Sequence, residues 1–229
     1  MALYAIGDLH LPLGAPDKTM EVFSGRWMGY VDKIRKGFSL LTEEDTCVIC
    51  GDFCWAMDLE AALPDFRFLH ELPGKKIILK GNHDYWWNTA SKMNAFLQRY
   101  ELDSISILHN NHFLCDDVAI CGTRGWFFEE ETGGDHDKKI MLREIGRLEA
   151  SLKAAGDREK IVFLHYPPVY LNYECPGILE MLAKYDVRNC YYGHIHSNGC
   201  RYAFIGERDN VYYRLISADY LDFVPLKIR

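Results

Sequence analysis

Short apolar runs that end at glycine or at a polar residue recur along the chain and constrain its fold more than any other feature. Six of them stand out, at residues 2–7, 46–50, 76–79, 119–122, 161–165 and 189–193. Their apolar character is continuous rather than alternating, which is typical of strands that are covered on both faces of a sheet.

Helical patterns lie between these runs. They predict helices over residues 17–36, 58–71, 88–100, 138–155 and 176–185, and residues 210–228 read as one or two further strands. Strands that alternate with helices predict an α/β architecture with a largely parallel or mixed sheet. At 229 residues, the chain is expected to form one such domain over residues 1–229.

The composition argues against several classes of partner. The formal net charge of −7 provides no electrostatic attraction to nucleic acid or to anionic membranes. No apolar stretch reaches the length of a membrane span, and the opening MALYAIGDLH shows no signal-peptide pattern. We therefore expect a cytoplasmic protein with reduced thiols and without a membrane or nucleic-acid partner.

The stretch CVICGDFC, residues 47–54, sets three cysteines around one aspartate. On a strand, Cys47 and Cys50 point to opposite faces, so they cannot bind one metal ion. No second cysteine or histidine pair completes a four-ligand zinc site. We interpret the cysteines as small buried apolar residues, which leaves Asp52 as the residue with chemistry.

Metal-ligand residue types follow five of the six runs. They are Asp8 and His10, Asp52, Asn82 with His83 and Asp84, His165, and His194 with His196. In open α/β sheets, ligands bind outside the carboxyl ends of the strands. Any one of these residues is ordinary in a turn or on a surface, but the ordered set is hard to explain by packing.

The donor set predicts a centre with two divalent ions. Imidazole, carboxylate and amide oxygen suit Mn or Fe, with Zn, Co or Ni as alternatives. Asp52 is the natural bridge because it follows a central strand between the other donors. Such a centre attracts a phosphate oxyanion even in an acidic protein. Two ions clamp the attacking and leaving oxygens of an in-line displacement.

The ordered motifs Asp8-x-His10, Gly51-Asp52, Gly81-Asn82-His83-Asp84, His165 and Gly193-His194-x-His196 resemble those of the calcineurin-like metallophosphoesterase superfamily. The resemblance implies a four-layer α/β/β/α sandwich with two mixed sheets. It also implies ligands for a first ion (Asp8, His10, His196) and a second ion (Asn82, His165, His194), bridged by Asp52. His83 would then assist the leaving oxygen after attack by a bridging hydroxide, with Asp84 orienting its ring.

One position departs from the superfamily pattern. Many members carry a second aspartate three residues after the Gly-Asp step, and the protein phosphatases add an arginine there. This chain has Trp55 at the site of that aspartate, in the stretch Gly-Asp-Phe-Cys-Trp. An indole replaces neither a carboxylate nor a guanidinium, so we do not expect a Ser/Thr protein phosphatase.

Substrate contacts are expected from Arg124, Trp86 and Tyr166. Arg124 follows a strand and is suited to a second phosphate. Trp86 and Tyr166 belong to an aromatic group that is either core packing or a stacking wall for a flat leaving group. The acidic stretch 127–139 reads as a lid that favours small phosphoesters over nucleic-acid strands.

Several functions fit these motifs. The leading one is hydrolysis of a small phosphomonoester or phosphodiester, including nucleotide-type esters, between which the motifs do not discriminate. The alternatives are a nuclease of the same superfamily and a non-catalytic, metal-binding interaction scaffold on the same fold. The sequence makes no prediction of the oligomeric state.

Overall fold

The computed structural model describes residues 1–127 and 134–229, which build two mixed sheets packed face to face. The first sheet has the strand order β13-β1-β2-β3-β4, in which only β13 is antiparallel to its neighbour. It contains β1 (Leu3–Ile6), β2 (Thr46–Cys50), β3 (Lys75–Leu79), β4 (Ile105–Ile107) and β13 (Leu226–Lys227).

The second sheet has the order β11-β12-β10-β7-β6-β5, with a parallel centre and antiparallel strands at both edges. It contains β5 (Phe113–Cys115), β6 (Val118–Thr123), β7 (Lys160–Leu164), β10 (Asn189–Tyr192), β11 (Gly206–Arg208) and β12 (Val211–Leu215). A separate hairpin pairs β8 (Val169–Tyr170) with β9 (Tyr173–Glu174).

Alternate residues of the strands divide between an inner and an outer apolar layer. Ala5 and Val48 of the first sheet share the inner layer with Ile120 and Phe163 of the second. The outer faces are covered by α1 (Tyr30–Phe38), α2 (Leu63–Glu71) and α3 (Ala90–Arg99) on the first sheet, and by α4 (Asp135–Ala154) and α5 (Pro176–Lys184) on the second. The expected four-layer α/β/β/α sandwich is confirmed.

The helix expected over residues 17–36 is wrong in its first half. Two short 3-10 turns, Met20–Val22 and Gly25–Trp27, precede α1. Gly29, just before α1, has a φ of 62°, a left-handed conformation that interrupts a right-handed helix. The strands β4, β5 and β11 are three residues long, and at that length an apolar pattern gives no sequence signal.

All eight cysteines carry free thiols, and only Cys200 is more than marginally exposed. Cys47 packs in the outer layer of the first sheet and Cys50 in the inner layer, so the two thiols do point to opposite faces. Within the described ranges, no helix combines the length and the apolar character needed to cross a bilayer.

The carboxyl ends of the central strands of both sheets meet at one edge. The Gly7 amide, after β1, donates to the Ile216 carbonyl after β12 at 2.7 Å. The Asp8 amide donates to the Gly51 carbonyl after β2 at 2.9 Å. Since both sheets deliver their strand ends here, the polar residues that follow them are brought into a single layer.

Helix α1 packs so closely on the C-terminal segment that one glycine is required. A Cβ at Gly37 would lie 2.1 Å from the Phe223 carbonyl oxygen. We expect Gly37→Ala to lower the free energy of unfolding by about 1–3 kcal/mol in urea denaturation, because backbone must move to relieve the overlap. Gly146→Ala in α4 is the control: no described atom lies within 4 Å of its Cβ, and it should gain about 0.5–1 kcal/mol. Equal stability of the two variants would contradict this packing.

Candidate metal centre

Two groups of ligand atoms lie at the edge where the strand ends meet. One consists of Asp8, His10 and His196, and the other of Asp52, His165 and His194. In each group, the ligand atoms all lie within 4.8 Å of one another. Six of the seven predicted ligands are therefore brought together in two candidate metal sites, and Asp52, the expected bridge, belongs to the second of them.

One oxygen of Asp52 faces both groups. Its Oδ2 lies 3.7 Å from Nε2 of His10 and 3.5 Å from Nε2 of His165. This position follows from the sheet order, because β2 is flanked by β1 and β3. A carboxylate oxygen between two sets of imidazole donors has the arrangement that a bridging ligand requires.

The seventh predicted ligand, Asn82, completes the second group. Its Oδ1 lies 2.6 Å from Nε2 of His165, while Nδ1 of His165 lies 3.1 Å from the Cys50 carbonyl oxygen. Donation from Nδ1–H to that carbonyl leaves Nε2 with a lone pair facing the amide oxygen. Two acceptors that face each other at this distance are satisfied by a cation.

The first group shows the same pattern. Nδ1 of His196 donates to Oδ1 of Asp219 at 2.8 Å, so Nε2 is the ring nitrogen that faces the site. This Nε2 lies 3.4 Å from Nε2 of His10 and 3.5 Å from Oδ1 of Asp8. In both groups, the residues present fit a divalent ion, because imidazole and carboxylate atoms that can act as ligands lie within 4.8 Å of one another.

Burial prepares three of the histidines as neutral ligands. It lowers the pKa of His165 and of His194 to about 3, and the pKa of His10 well below its usual value. Burial also opposes charge on His196, but the Asp8 and Asp219 carboxylates outweigh it and raise the pKa to about 10. For Asp52, burial and then the neighbouring carboxylates of Asp84 and Asp8 raise the pKa well above its usual value. Cations at this centre would relieve the repulsion among these carboxylates.

Two glycines of the motifs make room for ligand carboxylates. A Cβ at Gly81 would lie 2.1 Å from Oδ1 of Asp52, and a Cβ at Gly193 would lie 2.4 Å from Oδ2 of Asp8. These glycines are needed because backbone and ligand approach each other directly.

The ligand layer is also strained. Asp8, His10, Asp52 and His194 have φ values of 60°, 47°, 48° and 73°. This left-handed region is disfavoured for residues with a Cβ, although Asp and His enter it more readily than most. Four unfavourable conformations in one layer indicate that the surrounding fold holds the ligands in place.

Asp84 acts differently from the expectation. Its carboxylate accepts hydrogen bonds from the backbone amides of Asp52, Phe53 and Gly81 and from Nε1 of Trp86, at 2.7–3.0 Å. Among the described residues, the His83 ring instead meets the Tyr85 hydroxyl, at 3.5 Å from Nδ1. The prediction that Asp84 orients His83 is therefore wrong, and Asp84 ties the loop after β2 to the loop after β3.

His83 lies beside the first group. Its backbone amide donates to Oδ1 of Asp52 at 2.7 Å, which couples its position to the bridging carboxylate. The ring is half-buried, and its centroid lies 5.7 Å from that of His10. Burial lowers the pKa of His83.

Trp55 forms a wall of the centre. Its indole stacks on the His10 ring, with centroids 4.7 Å apart, and lies 4.8 Å from the His83 ring. The buried Nε1 has no hydrogen-bond partner in the described part of the chain. The departure from the superfamily pattern thus puts a flat apolar surface, with one unused donor, against a ligand and against His83.

The predicted substrate contacts have different positions. Trp86 is 1% exposed and packs on Phe53 and Phe66 in the core, so its assignment as a substrate contact is wrong. The Tyr166 ring lies beside the second group, with its centroid 4.4 Å from that of His194. Arg124 pairs with buried Glu144 at 3.5 Å. For Tyr166 and Arg124, contact with a substrate stays a prediction.

The sequence reading missed Asp219, which is buried and holds His196. It follows β12 by four residues, so the rule of polar residues after strand ends, applied to this last strand, would have found it. Of the expected lid over residues 127–139, residues 128–133 lie outside the described residues. Residues 135–139 begin α4.

Comparisons with known proteins give one family match and several similar folds. A family model described as calcineurin-like phosphoesterase matches residues 1–198, and no curated protein matches the chain. Two solved structures are similar over 99% of this chain and 95% of their own. One is phosphopantetheinyl hydrolase from Mycobacterium tuberculosis, with a TM-score of 0.62 and 12% identity. The other is a protein of unknown function, AQ665, from Aquifex aeolicus, with a TM-score of 0.53 and 17% identity. At these identities the likeness shows the fold.

The four hydrogen bonds of Asp84 can be tested by Asp84→Asn. Each carboxylate oxygen of Asp84 accepts hydrogen bonds from two N–H groups. In the asparagine side chain of the variant one oxygen is replaced by an NH2 group, which cannot accept, so two N–H groups lose their partner in either orientation of the amide. We expect a loss of about 1–3 kcal/mol for each orphaned donor in urea denaturation. We also expect fewer than two ions per chain by elemental analysis after metal loading, because Asp52 is displaced.

Asp45→Asn is the matched control. Asp45 is also a buried aspartate, and it accepts from the backbone amides of Ala2 and Thr42 at the opposite end of β2. This variant should lose stability and keep its ions. Full metal content in Asp84→Asn would show that Asp84 does not position the ligands.

Proposed function

The chain belongs to the calcineurin-like phosphoesterase family, and from this membership we propose that it is a di-metal phosphoesterase acting on a small phosphomonoester or phosphodiester. The observation that carries the proposal is the pair of ligand groups that share Oδ2 of Asp52. A structural metal site needs one closed set of ligands. Two adjacent sets with a common carboxylate match the arrangement used for phosphoryl displacement.

The donor set supports two divalent ions, Mn or Fe, with Zn, Co or Ni as alternatives. When bound, two such ions polarise phosphoryl oxygens and supply a hydroxide nucleophile at neutral pH. The chain contributes the fixed geometry. Asp52 joins the two groups, and the Cys50 carbonyl and the Asp219 carboxylate set which nitrogens of His165 and His196 would face the ions.

His83 is proposed to serve the leaving group. It is the histidine beside the first group that belongs to neither candidate site, and its backbone amide holds it against Asp52. Contacts with Trp55 and Tyr85 keep its ring at the mouth of the centre. A half-buried imidazole at this position can hydrogen-bond a phosphoryl oxygen and protonate the departing oxygen.

The test uses metal-stripped protein reconstituted with Mn, Fe, Co, Ni, Zn or Mg in turn. Each form is assayed on p-nitrophenyl phosphate, on the bis-p-nitrophenyl ester and on a nucleotide panel. We expect hydrolysis that requires added metal. His83→Ala should lower kcat by about 10²–10⁴-fold with both ions retained, whereas Asp52→Asn should lose ions as well as activity.

His112→Ala provides the matched control, because the His112 ring makes no contact with the centre in the described residues. It should retain activity and metal. Two bound ions with no turnover on the whole panel would reject the hydrolase and favour the interaction scaffold.

A further inference from the structure

A cavity of about 580 Å³ lies next to the first ligand group. Its lining includes Arg26, Ser197, Arg201 and Tyr220, together with Phe23. Ser197 directly follows His196 of the first group in the chain, so the lining of the cavity is adjacent to that group. The volume lies within the range of small-molecule sites.

The cavity is joined to the metal centre through Asp219. One carboxylate oxygen of Asp219 accepts from Nδ1 of His196, and the other accepts from the Ser197 amide at 2.9 Å. The Asp219 backbone carbonyl accepts from a guanidinium nitrogen of Arg26 at 2.7 Å. The same residue therefore holds a metal ligand and a cation of the cavity in fixed relation.

The lining is cationic although the chain is acidic. It contains two guanidinium groups and, among the described residues, no carboxylate. Arg201 is exposed and makes no ion pair or hydrogen bond in the described part of the chain. An arginine without an acidic partner next to a phosphoester site is suited to a second anionic group, since a guanidinium binds phosphate through two parallel hydrogen bonds.

The lining also contains exposed aromatic surface. Phe23 is 67% exposed and directly follows the 3-10 turn Met20–Val22, in a position that leaves its ring outside the core. Tyr220 contributes a second, half-buried ring. The two rings give the lining a flat apolar surface beside two guanidinium groups, which suits a ligand that carries both a flat ring and an anionic group.

Resting on the proposed function, we propose that this cavity is a nucleotide subsite. The reacting phosphoryl group lies at the two ligand groups, a further phosphate lies between Arg26 and Arg201, and the base stacks on Phe23. The substrate class is accordingly a nucleotide that carries a further phosphate besides the phosphoester group that lies at the two ligand groups. Simple phosphoesters fill only the metal centre.

The test compares two phosphonate ligands on the metal-loaded full chain by isothermal titration calorimetry. Adenosine 5′-(α,β-methylene)diphosphate carries the second anionic group and the base, and methylphosphonate carries neither. We expect the nucleotide analogue to bind at least about 10-fold more tightly, the effect of one charge-assisted hydrogen bond or one stacked base. Arg201→Gln and Phe23→Ala should each reduce this ratio about 10-fold.

Two control variants match the exposure of the changed residues. Arg188 is an exposed arginine that pairs with Asp186 just before the amino end of β10. Leu142 is an exposed apolar residue on α4. Arg188→Gln and Leu142→Ala should leave the ratio of the two dissociation constants unchanged.

Equal affinity for the two ligands, or a ratio that survives both Arg201→Gln and Phe23→Ala, would overturn the subsite. Its failure is distinguishable from failure of the hydrolase. Hydrolysis of p-nitrophenyl esters without a nucleotide preference rejects only the subsite. A nucleotide preference that depends on Arg201, in a protein that hydrolyses none of the esters, rejects only the hydrolase.

Discussion

The centre depends on one buried carboxylate that is not a ligand. Asp84 accepts four hydrogen bonds, three of them from backbone amides on the loops after β2 and β3. A carboxylate is the only common side chain that accepts at both ends without donating, so no isosteric residue replaces it. Its effect is to fix the Gly51-Asp52 step against the Gly81-Asn82 step. That connection holds Asp52 in its position between the two candidate groups.

The residues of the two candidate groups are held in an energetically unfavourable arrangement, and apolar burial elsewhere in the fold offsets its free-energy cost. Left-handed backbone costs roughly 1–2 kcal/mol per residue, and Asp8, His10, Asp52 and His194 all adopt it. Carboxylates and lone pairs also converge in a buried space, which is unfavourable without cations. The two sheets, each covered by helices, supply the apolar burial that offsets these terms. A smaller scaffold with one sheet would lack both the second set of strand ends and that offset.

The polar residues at the strand ends were predictable from the sequence, because each is identified by an apolar run and the few residues that follow it. An apolar run followed by Gly-Asp or Gly-His puts a polar side chain at a sheet edge, and the ordered set contains the residues of both candidate groups. The position of Trp86 was not predictable, because the sequence does not distinguish an aromatic residue in the core from one at the edge of a binding site. The role of Asp84 was misjudged because it is adjacent to His83 in sequence, whereas adjacent side chains diverge in the turn. Asp219 was missed because it lies beyond the last motif.

Asp219 has a consequence for the boundaries of the functional unit. The family match ends at residue 198, yet the carboxylate that fixes His196 lies 21 residues beyond that end. The same C-terminal stretch adds β12 to the second sheet and β13 to the first. The motif-bearing region is thus not self-sufficient, and a truncation drawn at the family boundary would keep every ligand while removing the support of one of them. Exchange of C-terminal tails between relatives would, by the same reasoning, alter the metal centre without touching a single motif.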